Sequence, residues 1–353
     1  MLVKDIPTPA LFLDKNILEK NMLVMTEILK NGKAALRPHY KSHKCASLAH
    51  MQISAGAIGM TCAKLSEAED LVDSGIVDIL IANQIVAPEK IARLAHLAGK
   101  CKLKVLADCK ENIKALGEAA SFAGSKIGIL VEYEIGMKRC GVRTKEELLE
   151  LAKYISSFKS LSFDGIQAYA GHLSHEISAA EREARTAENH KRILDACEYL
   201  SKNGIEVKTI SGGSTGTAAI KVKAGLYTEL QAGSYLFMDA TYKHLGLPFE
   251  NSLFLLTTAV SVKNDLVVVD GGVKTCGVDQ GMPAVKDFEV SRVVDSEEHF
   301  QLHDPSKVIS AGDKVTLIPA HCCSTVNLHD KIYLVDGDRV VDRILVTARG
   351  IGK

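Results

Sequence analysis

The run Ile127-Gly128-Ile129-Leu130-Val131, the segment Thr144-Lys145-Glu146-Glu147-Leu148-Leu149-Glu150-Leu151-Ala152-Lys153-Tyr154-Ile155 and the run Phe163-Asp164-Gly165-Ile166 follow one another in the chain and decide the fold. The outer two are short and mostly apolar, the texture of buried strands. The middle one carries Leu148, Leu149, Leu151, Ala152 and Ile155 at the spacing of one helix face. Thr144 can cap that helix, and Glu147, three residues on, can return the bond. Strand, helix and strand in this order make a parallel unit joined by a right-handed crossover.

The alternation continues in both directions from about residue 15 to 245. Upstream, β-rich runs end at Leu36-Arg37-Pro38-His39-Tyr40, Ile58-Gly59-Met60-Thr61-Cys62, Ile79-Leu80-Ile81-Ala82 and Leu103-Lys104-Val105-Leu106. Downstream they are Val207-Lys208-Thr209-Ile210 and Leu230-Gln231-Ala232-Gly233-Ser234-Tyr235. Gly32, Gly56, Gly75, Gly99, Gly124 and Gly204 close helical segments, as C-terminal stops do. A doubly wound sheet and a closed barrel both alternate in this way. Eight strands in about 230 residues fit the (β/α)8 barrel, which usually takes about 250. Beyond residue 250 short β-rich runs are divided by Asn264-Asp265, Gly271-Gly272 and Gly312-Asp313, the punctuation of antiparallel hairpins. The reading is therefore an α/β barrel over 15–245, with 1–14 and 246–353 forming an antiparallel β domain.

Composition narrows the partners. Lys plus Arg and Asp plus Glu are each 43, and apolar residues make up 46% of the 353. No basic block favours nucleic acid or an anionic membrane. Apolar runs are strand-sized, too short for a membrane span, and the N-terminus has no signal-peptide order. Nine scattered cysteines without a C-x-x-C pair argue against a disulfide framework. The expected setting is a reducing cytoplasm.

Barrel enzymes place their chemistry at the C-terminal ends of the strands. The first strand runs into Arg37-Pro38-His39-Tyr40-Lys41-Ser42-His43-Lys44. A lysine there, crowded by cations and drawn from water, would lose proton affinity and become a nucleophile; a solvated basic loop is the plain alternative. The seventh and eighth strands run into Ser211-Gly212-Gly213-Ser214-Thr215-Gly216-Thr217 and Ala232-Gly233-Ser234-Tyr235. Glycines let backbone N–H groups turn toward an anion, and barrel phosphate sites follow strands seven and eight. A phosphate there and a lysine on strand one suit a phosphorylated cofactor tethered through its aldehyde.

These segments, with Thr8-Pro9, Gly136-Met137-Lys138-Arg139-Cys140-Gly141-Val142, Tyr169-Ala170-Gly171-His172, Met238-Asp239, Glu298-His299 and Pro319-Ala320-His321-Cys322-Cys323-Ser324-Thr325-Val326-Asn327, resemble the D-serine dehydratase and D-threonine aldolase group, relatives of alanine racemase. The resemblance runs nearly end to end. It implies pyridoxal 5'-phosphate (PLP) bound covalently to Lys41, with Arg139 beside the phenolic oxygen of the ring. Gln167, Tyr169, Thr215, Gly233 and Ser234 would line ring and phosphate. His39, His43 and His172 are further polar candidates without assigned roles. The chain departs from the pattern in having Glu132-Tyr133-Glu134 before Gly136, where the family leads one to expect an Asp nearer the glycine.

The same resemblance implies a divalent ion on the β domain, held by His321 and Cys323. Imidazole and thiolate suit Zn2+, with other divalent ions left open. An extended segment would turn His321 and Cys323 to one face and Cys322 to the other. The family's dehydratases carry Cys at the second position, whereas its aldolases tend to carry Asp. That detail favours β-elimination from D-serine or another 3-hydroxy-D-amino acid, with Lys41 removing the Cα proton and the metal assisting departure of hydroxide. Aldol cleavage of such an amino acid to glycine and an aldehyde is the alternative. Racemisation, which needs no metal, ranks lower, as does a non-catalytic PLP-binding protein, typically a barrel alone. The family also implies a homodimer.

Overall fold

A computed structural model describes residues 1–304 and 306–351. It divides into two compact units: residues 26–41 and 49–233 with Ile351 form one, and residues 1–25, 42–48 and 234–350 the other. These limits differ from those drawn at 14/15 and 245/246. Residues 15–25 and 234–245 pack with the β strands rather than with the barrel.

The larger unit is the barrel. Its parallel strands are Ala35–Leu36, Met60–Cys62, Asp78–Gln84, Lys102–Ala107, Ile127–Glu132, Leu161–Gln167, Thr209–Gly212 and Glu229–Leu230. Each overlaps a β-rich run of the sequence, the first and the eighth only at Leu36 and at Leu230. The eighth lies beside the first, pairing Glu229 with Ala35. The first meets the second through a parallel bridge between His39 and Thr61, with the Thr61 N–H donating to the Pro38 carbonyl at 2.9 Å. The ring closes there. The helix Lys145–Ser156 opens on the expected capping box: Thr144 Oγ1 accepts from the Glu147 N–H at 3.2 Å, and Glu147 accepts from the Thr144 N–H at 3.0 Å. Gly56, Gly75, Gly124 and Gly204 adopt positive φ after their helices, whereas Gly32 and Gly99 do not. What Gly32 provides is closeness, since a Cβ there would lie 2.5 Å from the Val222 carbonyl oxygen.

Inside the barrel wall Arg37 is fully buried. Its Nε donates to Glu229 at 2.9 Å and its Nη1 to Asp78 at 2.7 Å. This corrects the reading of Arg37 as part of a cationic crowd around Lys41, because two carboxylates, Glu229 on the eighth strand and Asp78 on the third, already answer its charge.

The second unit is a mainly antiparallel sheet, as expected. Its opening strand, Ala10–Asp14, pairs antiparallel with Leu253–Lys263 and parallel with Lys331–Asp336. Ile6, Phe12, Phe254, Leu256, Tyr333 and Val335 form its core. Asn264, at positive φ, turns the chain from Leu253–Lys263 into Leu266–Val269. Among the described residues no helix is long and apolar enough to cross a membrane.

Candidate active site

On the barrel, Lys41 leaves the end of the first strand in the short turn Tyr40–Ser42 and is half-buried. Its N–H donates to His39 Nδ1 at 3.4 Å, and the preceding Tyr40 hydroxyl donates to Asp70 at 2.5 Å. The backbone is thus fixed immediately before the amine-bearing residue. His39 bonds the turn locally in this way.

Arg139 stands on the loop after the fifth strand. Its guanidinium lies 3.8 Å from Glu132 and 6.0 Å from the centre of the Tyr169 ring, so the structure brings Arg139 and Tyr169 together. Glu132 ends the fifth strand, buried, and bonds Gln84 at 2.5 Å. Burial raises its carboxyl despite the opposing pull of Gln84 and Arg139. Where the sequence departs from the family pattern, the Glu134 carboxylate accepts from the Gly136 and Lys138 N–H groups at 2.5 and 2.9 Å. Burial works against the charge, but these backbone donors win and hold Glu134 below the usual carboxylate value. Asp108 adds a third anchor by accepting from the Gly141 N–H at 2.9 Å. His172 is exposed and packs against Gly136, where a Cβ would come within 2.7 Å of its ring.

The loop after the seventh strand turns at Gly213, with φ +82°, and passes Ser174 so closely at Gly216 that a Cβ would lie 2.1 Å from the Ser174 carbonyl oxygen. Thr215, on this loop, is buried and its hydroxyl has no hydrogen-bond partner. A buried donor of this kind awaits an acceptor. Gln167 lies deeper, in a reciprocal amide pair with Gln231 at 3.1 and 2.7 Å, and Gln231 also reaches Ser211 at 2.9 Å. Gly233 follows two residues later, buried.

On the β unit, the strand expected at 321–323 is a helix. His321 is the N-cap of Cys322–Val326, and its carbonyl accepts from the Thr325 N–H at 3.3 Å and the Thr325 hydroxyl at 2.8 Å. The threonine hydroxyl turns the backbone where alternation alone predicted extension. Cys322 and Cys323 therefore do not face opposite ways: their sulfurs are 3.9 Å apart. Cys322 is buried, its N–H bonded to Asp239 at 3.0 Å, and the Ser234 hydroxyl bonds both Tyr242 and the Cys322 thiol. Cys323 reaches Ser42 at 3.7 Å and is within hydrogen-bond reach of the His321 ring. His321 Nδ1 pairs with Asp279 at 2.7 Å, and Ser324 donates to the same carboxylate at 2.5 Å. Burial lowers the imidazole's proton affinity, but Cys323 and Asp279 outweigh it and raise its pKa to about 9. His43, also on this unit, is buried and accepts from the Cys45 N–H at 3.2 Å.

These residues fit the implied groups. An amine at a strand end, an unpartnered buried hydroxyl on a glycine loop and an arginine over a tyrosine suit PLP. A nitrogen and a sulfur donor in mutual reach suit a soft or borderline divalent ion. Among the described residues no third His, Cys, Asp or Glu joins them in a cage. Neither Asp108 nor Asp279 was named from the sequence, and Glu132 and Ser324 were quoted there without a role for either. No spacing rule links Asp279 to a histidine 42 residues away.

Residues 13–241 match the model of the alanine racemase N-terminal domain, and residues 252–335 that of a putative serine dehydratase domain. A 3-hydroxy-D-aspartate aldolase of Paracoccus denitrificans is 38% identical, covering 99% of this chain and 93% of its own. A D-threo-3-hydroxyaspartate dehydratase of Delftia is 26% identical over 90% of this chain and 91% of its own. The crystal structure of a D-threonine aldolase from Filomicrobium marinum superposes with a TM-score of 0.96, at 36% identity over 99% of both chains.

Proposed function

The chain belongs to the D-threonine aldolase and D-serine dehydratase family of alanine racemase-like PLP lyases, and from that premise we propose that it cleaves a 3-hydroxy-D-amino acid between Cα and Cβ, giving glycine and an aldehyde. The observation that carries this reading is the 38% identity to an aldolase across 99% of the chain, against 26% to a dehydratase. Elimination, which the sequence alone favoured, becomes the second reading. Cys323 beside His321 keeps it in view, because thiolate is the second donor expected in the dehydratases.

When bound, PLP supplies an electron sink for the bond broken at Cα, and a divalent ion supplies Lewis acidity for the β-hydroxyl. Lys41 would hold the cofactor through its side-chain amine, and the same amine would be the group placed to carry a proton to or from Cα. Arg139, near the Tyr169 ring, would offer positive charge to the phenolic oxygen of the cofactor ring. Thr215, with its unpartnered hydroxyl, and the turned backbone at Gly213 would hold the phosphate. His321 and Cys323 would provide the protein donors for the ion, with Asp279 holding the imidazole at 2.7 Å.

Product analysis tests the proposal. The purified enzyme, with and without a chelator, is incubated with D-threonine, 3-hydroxy-D-aspartate and D-serine. Glycine with an aldehyde, lost on chelation, is the expected result; ammonia with a 2-oxo acid means elimination.

A further inference from the structure

Lys221 is 1% exposed, and its ammonium has no hydrogen-bond partner. It lies on the helix Ala218–Ala224, directly after the glycine loop. A Cβ on Gly213 would come within 3.0 Å of Lys221 Cδ and 3.7 Å of Cε, so its stem runs behind that loop. Nζ sits 3.7 Å from the centre of the Tyr227 ring, whose hydroxyl donates to the Ala168 carbonyl at 2.9 Å. His190 is a further titratable neighbour, 5.7 Å from that ring, with Nε2 unpartnered. Burial and then Lys221 push His190 down to about 4, so it is neutral at pH 7, and burial keeps the Tyr227 hydroxyl protonated. Among the described residues no carboxylate pairs with the Lys221 ammonium.

An interior ammonium without a counter-charge is costly, and a Leu or Met would fill the same space at no electrostatic penalty. The aromatic face at 3.7 Å offsets part of that cost. Desolvation still brings the amine down to about 7. Two donors around one loop, Thr215 Oγ1 in it and Lys221 Nζ behind it, thus lack an acceptor. A dianion held by the loop would answer both, the hydroxyl by contact and the amine through space.

We propose that Lys221 is a positioning residue for the cofactor phosphate, an interior cation behind Gly213 whose charge acts through the Ser211–Thr217 loop. This rests on the reading that PLP binds there. A merely structural lysine and this cation differ in the sign of two effects. Without cofactor, Lys221→Met removes an unpaired buried charge and raises the melting temperature of the full-length protein. With cofactor, the same change weakens PLP binding about tenfold or more, the scale of one charge at an effective dielectric of about 20. Pyridoxal, which lacks the phosphate, binds both proteins alike.

The test is titration of wild type, Lys221→Met, Lys221→Gln and Lys221→Arg with PLP and with pyridoxal, followed by absorbance, alongside cofactor-free melting curves. Expected are a PLP-selective loss in the Met and Gln variants and recovery in the Arg variant. Lys221→Gln carries the comparison if Lys221→Met does not fold. Equal PLP affinity in the neutral variants and wild type overturns the proposal, as does a parallel loss of PLP and pyridoxal binding with a lowered melting temperature. Failure of the wild type itself to bind PLP overturns the underlying cofactor reading instead.

Discussion

His321 Nδ1 and Asp279 Oδ2 are 2.7 Å apart, and Ser324 donates to the other oxygen of that carboxylate at 2.5 Å. A carboxylate on one imidazole nitrogen fixes the ring and leaves the opposite nitrogen to bind a metal. Asp279→Asn should therefore weaken Zn2+ binding by about 10- to 100-fold while PLP binding is kept. Calorimetric titration of the chelated protein with Zn2+ and with Mn2+ measures this. Unchanged affinity for both would mean that Asp279 does not orient a ligand.

The two adjacent cysteines separate in the same way. Cys323→Ala and His321→Ala should both lose the ion, and turnover with it, while leaving the cofactor chromophore in place. Cys322→Ala should retain the ion and cost about 1 kcal/mol of stability, because its buried sulfur packs in the helix turn. Cys323→Asp offers a harder donor and should shift preference toward Mn2+ or Mg2+. Metal analysis of the four variants decides. Loss of metal from Cys322→Ala, with retention in Cys323→Ala, would reverse the ligand assignment.

The barrel was legible because its signals are local. Strand-sized apolar runs, helix-spaced leucines and the Thr144–Glu147 box are all read within a dozen residues. The place of Lys41 at a strand end was legible for the same reason, while its role rests on the family resemblance. What escaped is what folding alone brings together: Glu132 with Gln84 and Arg139, and Asp279 with His321. The register at 321–323 failed for a different reason. Period-2 alternation cannot foresee that the Thr325 hydroxyl will bond the His321 carbonyl and start a helix. Ala284–Val285, Arg292–Asp295 and Phe300–His303 are too short to announce themselves as strands.

Arg37 offers a stability test away from the chemistry. Arg37→Met leaves the buried Glu229 without its partner and should cost about 3–5 kcal/mol, whereas Arg37→Met with Glu229→Met should recover much of that loss. Denaturant melts of the single and double variants check the sign. Asp78 adds a pH dependence. Burial alone would raise its pKa, but Arg37 and Lys102 bring it below the ordinary 3.8. Its stabilising contribution is thus complete above that value and is lost as pH falls through the lower folded value. In Arg37→Met the acid end of the stability profile should flatten. A profile identical to wild type would mean that the Arg37–Asp78 pair contributes nothing.

The account stands on Lys41 as the residue that holds the cofactor. Borohydride reduction of the PLP-loaded enzyme, followed by peptide mapping, tests this most directly. A pyridoxyl group on the peptide containing Lys41, absent from Lys41→Ala, is the predicted result. Recovery of the label on another lysine, such as Lys44 or Lys221, with Lys41 unmodified, would contradict it.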